Sequence, residues 1–154
     1  MRDNNWLKNR FNYIYQQYFC DVEIINNIII RFGRPTKTRL GSIKQSSKNK
    51  KSNSIITING HFRDPDIPSY VIDAVIAHEL THYTHGFCSP YKQTYCKPHQ
   101  GGIVDHDLKK RGLADILRSE KYWIKNNWNQ YIDQKHPYKN RKRKNTNIFK
   151  IIWR

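Results

Sequence analysis

The sequence predicts one α+β domain: an N-terminal helix, a small three-stranded sheet, a helix carrying His-Glu-x-x-His, and then C-terminal helices. Three observations predict it. Apolar residues recur at helical spacing near the start, three short β-branched runs follow, and helical spacing returns after Pro68. A chain of 154 residues suits one domain with a modest core, which we place at 1–135, followed by a basic tail at 136–154.

Trp6, Leu7, Phe11, Ile14 and Tyr18 fall on one helical face, so residues 4–19 read as an amphipathic helix. Val22 to Phe32 is aliphatic and broken by Asn26-Asn27; its second half, Ile28 to Phe32, alternates as a strand does. Gly33 and Pro35 end it. Thr36 to Ile43 reads as the second strand and Ser54 to Asn59 as the third. The polar, basic stretch Gln45 to Asn53 between them reads as a hairpin loop. Arg63 to Pro68 is a loop, and Pro68 suits a helix start, where a missing N–H costs nothing. The next helix spans about 69–85 and stops at Gly86, a natural left-handed terminator. Residues 86–102 read as irregular. Helices resume over Ile103 to Arg111 and, past Gly112, over Leu113 to about Ile132, with Trp123 and Trp128 buried.

Lys and Arg number 28 against 12 Asp and Glu, a formal charge of +16. A charge that large draws polyanions, so nucleic acid is a candidate partner through Lys48, Lys50 and Lys51 in the loop and the tail run Lys139 and Arg141 to Lys144. A Lys- and Asn-rich solvated surface accounts for the same composition. The aromatic share of 13% argues against a disordered chain. Cys20, Cys88 and Cys96 are too few, and odd in number, for a secreted disulfide framework. Met1 to Arg10 leads into no apolar run, and the longest aliphatic run is Ile28-Ile29-Ile30. The expectation is therefore a soluble, cytoplasmic protein with no membrane contact.

The chemistry concentrates in Val75-Ile76-Ala77-His78-Glu79-Leu80-Thr81-His82. Histidines at i and i+4 share a helical face about 6 Å apart along the axis, so both imidazoles reach one Zn²⁺ at about 2.0–2.1 Å. A glutamate beside the first histidine can take a proton from zinc-bound water. Val71 and Val75 extend the histidine stripe and point it inward. Ile72, Ile76, Leu80 and Tyr83 form a second apolar stripe. Two satisfied histidines on a half-buried helix would show the same bare pattern.

A third ligand must come from elsewhere. His85 lies about 10 Å along the axis from His78 if the helix continues, too far to share one ion. His99 lies in a loop able to fold back, with Asp105, His106 and Asp107 as fallbacks on the next helix. A rival arrangement, His85-x-x-Cys88 with Cys96-x-x-His99, would make a closed structural zinc site.

These residues, in this order, resemble the SprT-like zinc peptidases, which include the Spartan-type proteases acting on protein crosslinked to DNA. The matching segments are Arg39-Leu40-Gly41-Ser42-Ile43, Ile56-Thr57-Ile58-Asn59, Pro68, His78 to His82, and His99 with Gly101-Gly102. The resemblance covers about 20–112. It implies a minigluzincin-type fold, a distal histidine completing the zinc site, and proteolysis of DNA-associated protein. The distal element here reads His99-Gln100-Gly101-Gly102-Ile103, without the family's immediate Gly or its Phe. The four-cysteine zinc ribbon of some members is replaced by the basic tail.

The expected activity is thus that of a zinc metalloendopeptidase on protein or peptide substrates. His78, His82 and His99 hold Zn²⁺ and Glu79 is the general base. The Ile56 to Ile58 strand reads first as ordinary sheet core, with pairing of its edge and Asn59 to an extended substrate as the alternative, and Tyr83, Tyr91 or Tyr95 is a candidate to assist the oxyanion. The alternatives are a non-catalytic, zinc-stabilised nucleic-acid-binding module and a protein-interaction domain with incidental histidines.

Overall fold

The computed structural model describes residues 1–49 and 51–135; the predicted basic tail and Lys50 lie outside them. The architecture is α+β. Helix α1 (Asn4–Tyr18) leads to a mixed sheet of β1 (Ile28–Phe32), β2 (Gly41–Gln45) and β3 (Ser54–Ile58). A 3₁₀ turn at Gly60–Arg63 then precedes the central helix α2 (Ser69–Thr84). Helices α3 (Ile103–Lys110) and α4 (Ala114–Trp123) follow. A π-helical segment at Ile124–Trp128 joins α4 to α5 (Asn129–Lys135).

Local signals explain α1. The Asp3 side chain accepts from Trp6 N–H at 2.8 Å, a side-chain N-cap, and Leu7, Phe11 and Ile14 bury one face. Trp6 and Tyr18 only flank that face. Arg10 Nε donates to Asp73 Oδ1 at 2.9 Å, tying α1 to α2 across the one buried carboxylate in the first half of α2. Burial pushes the Asp73 carboxyl up, while the guanidinium opposes the shift.

The sheet order is β1-β3-β2, with β1 parallel and β2 antiparallel to β3. Ile56 is the pivot: it faces Ile30 on one side and Ile43 on the other. The middle strand is therefore β3, so Ile56 to Ile58 is sheet core, the first of the two readings, and the alternative of a substrate-pairing edge there is ruled out. The second strand also shifts, starting at Gly41 and running to Gln45 instead of spanning Thr36 to Ile43. The reason is Asn59. Its Oδ1 accepts from Thr36 N–H at 3.2 Å, and its Nδ2 donates to the carbonyls of Thr36 and Arg39, both at 2.7 Å. That clamp bends Thr36–Arg39 into a loop before the strand can begin, and it takes Asn59 out of any substrate role.

Helix α2 is buried at every position from Val71 to Tyr83. Two apolar stripes are expected from the sequence; in the fold the sheet, α1, α3 and α4 cover the helix all round. It ends as expected at Gly86, whose φ is +81° and where a Cβ would meet the Lys92 carbonyl oxygen at 2.5 Å. Gly112, at φ +87°, separates α3 from α4. Trp128 is fully buried and its indole donates to the Lys37 carbonyl at 2.8 Å, whereas Trp123 is half-buried.

Candidate metal centre

Two ligating positions are set by α2 and the third by the loop after it. His78 and His82 stand one turn apart on the buried helix, and His99 folds back from the 86–102 segment. The three Nε2 atoms form a triangle 3.0 Å on each side. Among the described residues this is the one group of three or more His, Cys, Asp or Glu able to hold a metal ion. An ion about 2.0–2.1 Å from each nitrogen holds tetrahedral ligands about 3.3 Å apart, so the triangle is a few tenths of an ångström tighter than that ideal.

The electrostatics suit ligation. Burial drives His78 well below the usual imidazole range, and the neighbouring His82 and His99 push the same way. His82 falls to about 3, again through burial first and then His99 and His85. His99 is lowered by burial against an opposing pull from Asp105. All three are shifted toward the neutral imidazole, the form that binds metal. His82 Nδ1 is buried with no hydrogen-bond partner among the described residues, so that ring lacks the orienting acceptor common at metal sites.

Glu79 completes the centre. It is 1% exposed, and its Oε2 has no partner among the described residues. Burial pushes its carboxyl up to about 8, with Arg39 opposing. A buried carboxylate oxygen without a donor is costly. Glu79 follows His78 in the chain on the same buried helix, and it fits a group that supplies positive charge or a water donor. The carboxyl has room because residue 41 is glycine: a Cβ there would meet Glu79 Oε1 and Val75 Cγ1, each at 2.7 Å. A glycine inside a strand is the sequence signal for such an approach.

The remaining candidates are engaged elsewhere. His85 pairs with Asp107, Nε2 to Oδ2 at 3.3 Å, and Asp107 also faces Arg111. Asp105 pairs with Lys121, and His106 is exposed. Cys88 and Cys96 are free thiols outside the ligating group, so the closed Cys/His site does not form. The Tyr83 hydroxyl donates to Asn26 Oδ1 at 2.8 Å and accepts from Ile25 N–H, and Tyr91 donates to the Glu23 carbonyl. The Tyr95 ring packs edge-on against His85, 5.1 Å between centroids. None of the three tyrosines is drawn into the imidazole triangle.

Among the described residues β2 is an outer strand of the sheet, and its Gly41 lies against Glu79. Ser46 N–H donates to Asn53 O and Asn59 N–H to Leu40 O, which fixes the parity of the antiparallel ladder. Ser42 and Lys44 therefore bond inward to β3, and Gly41, Ile43 and Gln45 turn their backbone groups outward. Lys48 and Lys51 are exposed in the turn beyond. Among the described residues no helix is long and apolar enough to cross a membrane. The chain matches no protein-family model, no curated protein and no solved structure.

Proposed function

We propose that this chain is a zinc-dependent metallopeptidase of the SprT-like kind, hydrolysing peptide bonds, with DNA-associated proteins as its substrate class. The observation that carries the reading is the triangle of three imidazole nitrogens, 3.0 Å apart, together with the buried Glu79 next in the chain to His78, whose Oε2 has no partner among the described residues. Nitrogen donors without a carboxylate in the set favour zinc over magnesium or calcium, and three protein ligands are the number a catalytic zinc keeps. When bound, zinc supplies a Lewis acid that acidifies water and polarises the scissile carbonyl. His78, His82 and His99 hold and orient it. Glu79 accepts the proton of the attacking water and returns it to the leaving amine. The outer edge of β2 takes an extended substrate by strand addition. Three free cysteines suit a reducing compartment, consistent with a cytoplasmic protein.

The test is Glu79→Gln in zinc-loaded protein with unfolded casein as substrate. The variant keeps its zinc within a few-fold and loses about 10²- to 10⁴-fold in rate, the usual worth of a general base. A wild-type protein that binds zinc and cleaves nothing rules out the reading. The charge of +16 favours a second reading, a non-catalytic, zinc-stabilised nucleic-acid-binding module. There Glu79→Gln changes nothing. Changing Arg141 to Lys144 to glutamine lowers the salt slope of DNA affinity by about 0.9 for each phosphate no longer neutralised.

A further inference from the structure

The net charge of +16 is not spread evenly along the chain. Residues 24–63, which build the whole sheet, hold nine Lys and Arg and no Asp or Glu. Residues 136–154 hold seven more and again no acid. The remainder, 1–23 and 64–135, has twelve of each sign and is neutral. Every ion pair among the described residues lies in that neutral part, and no described cation of 24–63 takes part in one. A surface that serves solubility alone intersperses both signs, and the sheet region carries one.

Sheet geometry gathers part of this charge on one face. Ile30, Ile43 and Ile56 pack into the core, and a Cβ at Gly41 would meet Val75 and Glu79 of α2, so these positions mark the inner face. Side chains alternate along a strand, so their neighbours point the other way. The register sets two rows across that outer face: Ile29, Ile55 and Lys44 in one, Arg31, Thr57 and Ser42 in the next. Ile29, Arg31 and Lys44 are exposed, and neither Ile29 nor Ile55 joins the core. Strands about 4.8 Å apart and rows about 7 Å apart put the Arg31 and Lys44 backbones at diagonal corners, about 12 Å from each other. Lys48 and Lys51, exposed in the turn between β2 and β3, extend the positive surface at the Lys44 end.

We propose that this outer face and its turn bind the phosphate backbone of double-stranded DNA without reading its sequence. Guanidinium, ammonium and hydroxyl groups are the donors that meet phosphate oxygens, and the two rows supply them from Arg31, Lys44, Ser42 and Thr57. The two rows carry no aromatic ring on which an unpaired base stacks, which favours a duplex over a single strand. A duplex also carries the denser charge, one for about every 1.7 Å of its axis. The face lies across the sheet from α2 and its histidines, so the inference does not rest on the peptidase reading. It adds to that reading a second surface, placed so that duplex and metal centre occupy opposite sides of one sheet.

The test is binding of the full chain to a short, fluorescently labelled DNA duplex of mixed sequence, followed by anisotropy over a salt series. Arg31→Gln with Lys44→Gln flattens the slope of log affinity against log salt by about 1.8, at about 0.9 for each phosphate no longer neutralised. Lys48→Gln with Lys51→Gln flattens it in the same direction. Lys109→Gln with Lys110→Gln removes the same charge from exposed positions on α3 that form no ion pair among the described residues, and leaves the slope nearly unchanged. Tm, measured alongside, excludes a folding defect as the cause of any change. Equal flattening by the sheet pair and the α3 pair assigns binding to net charge and overturns the inference. So does an effect of the turn pair alone, or a parent that binds no duplex at low salt. Polyglutamate that displaces the duplex as well as unlabelled duplex does, charge for charge, overturns DNA as the partner. Tighter binding of one strand of the same sequence overturns the choice of duplex. None of these outcomes depends on zinc or on cleavage, so the peptidase reading stands or falls separately.

Discussion

Helix α2 and the loop that follows it contribute to the same triangle of nitrogens by opposite means. From Val71 to Tyr83 the helix is buried without a gap, and its two histidines are placed by helical geometry alone. From Tyr91 to Gln100 the loop has no buried residue. It is held by a few bonds, among them Thr94 N–H to the His85 carbonyl at 3.0 Å and the Tyr91 hydroxyl to Glu23. The helix presents its ligands whether or not a metal is present, while His99 depends on ordering a segment at an entropic cost per residue. A metal held by this group would be coupled to the conformation of the loop far more than to that of the helix.

The largest effects test that division directly. His78→Ala or His82→Ala removes a fixed ligand, and zinc retention measured by chelator competition falls by more than about 100-fold, beyond the cost of a lost orienting partner. His99→Ala also weakens zinc, and even at saturating metal it leaves proteolysis of the 86–102 loop insensitive to the ion. His85→Ala, which breaks only the pair with Asp107, leaves affinity nearly unchanged. Equal losses for His85 and His99 would contradict the triangle.

The helical side has a further signature in pH. Glu120, on α4 against α2, is 2% exposed, and burial lifts its carboxyl from 4.5 to about 7. Below pH 4.5 the group is protonated in both folded and unfolded chains. Between there and about 7 only the unfolded chain releases the proton, so folding stability falls across that window as pH rises. Glu120→Gln removes the loss. Urea unfolding at pH 8 finds the variant more stable by up to about 3 kcal/mol, at about 1.4 kcal/mol per unit of pKa, and at pH 4 finds it close to the wild type. An equal difference at both pH values removes burial of a titrating carboxyl as its cause.

Two glycine substitutions sharpen the contrast at smaller scale. Gly41→Ala drives a methyl into Glu79 Oε1 and Val75 Cγ1. It lowers kcat by about tenfold or more while zinc is retained, because the carboxyl moves and the imidazoles do not. Gly102→Ala meets no atom within 4 Å but sits at φ +71°. It costs about 1 kcal/mol of backbone strain and weakens zinc through the His99 loop, with kcat at saturating zinc unchanged. Exchanged phenotypes would reverse the roles assigned to strand and loop.

Much of this is legible in the residues. The 3.6-residue period exposes α1 and α2 to within a residue or two, and the i, i+4 histidines follow from it. Gly86 and Gly112 stop helices where expected, since a left-handed φ at a helix end strongly favours glycine. Distance along a helix axis favours His99 over His85. The Thr36–Arg39 loop reads as strand in the sequence because its conformation is dictated by the side chain of Asn59, some twenty residues away. The three tyrosines carry no marker of the Asn26, Glu23 and His85 contacts that occupy them.

The sequence by itself determined which residues can ligate and which helix carries two of them, because periodicity and side-chain chemistry are local properties. Only the tertiary structure decided that β3 lies between β1 and β2, and that among the described residues β2 is therefore an outer strand. It also decided that Glu79 lies buried against Gly41. Strand order, edge exposure and desolvation arise from contacts between distant segments, and no local pattern specifies which distant segments meet.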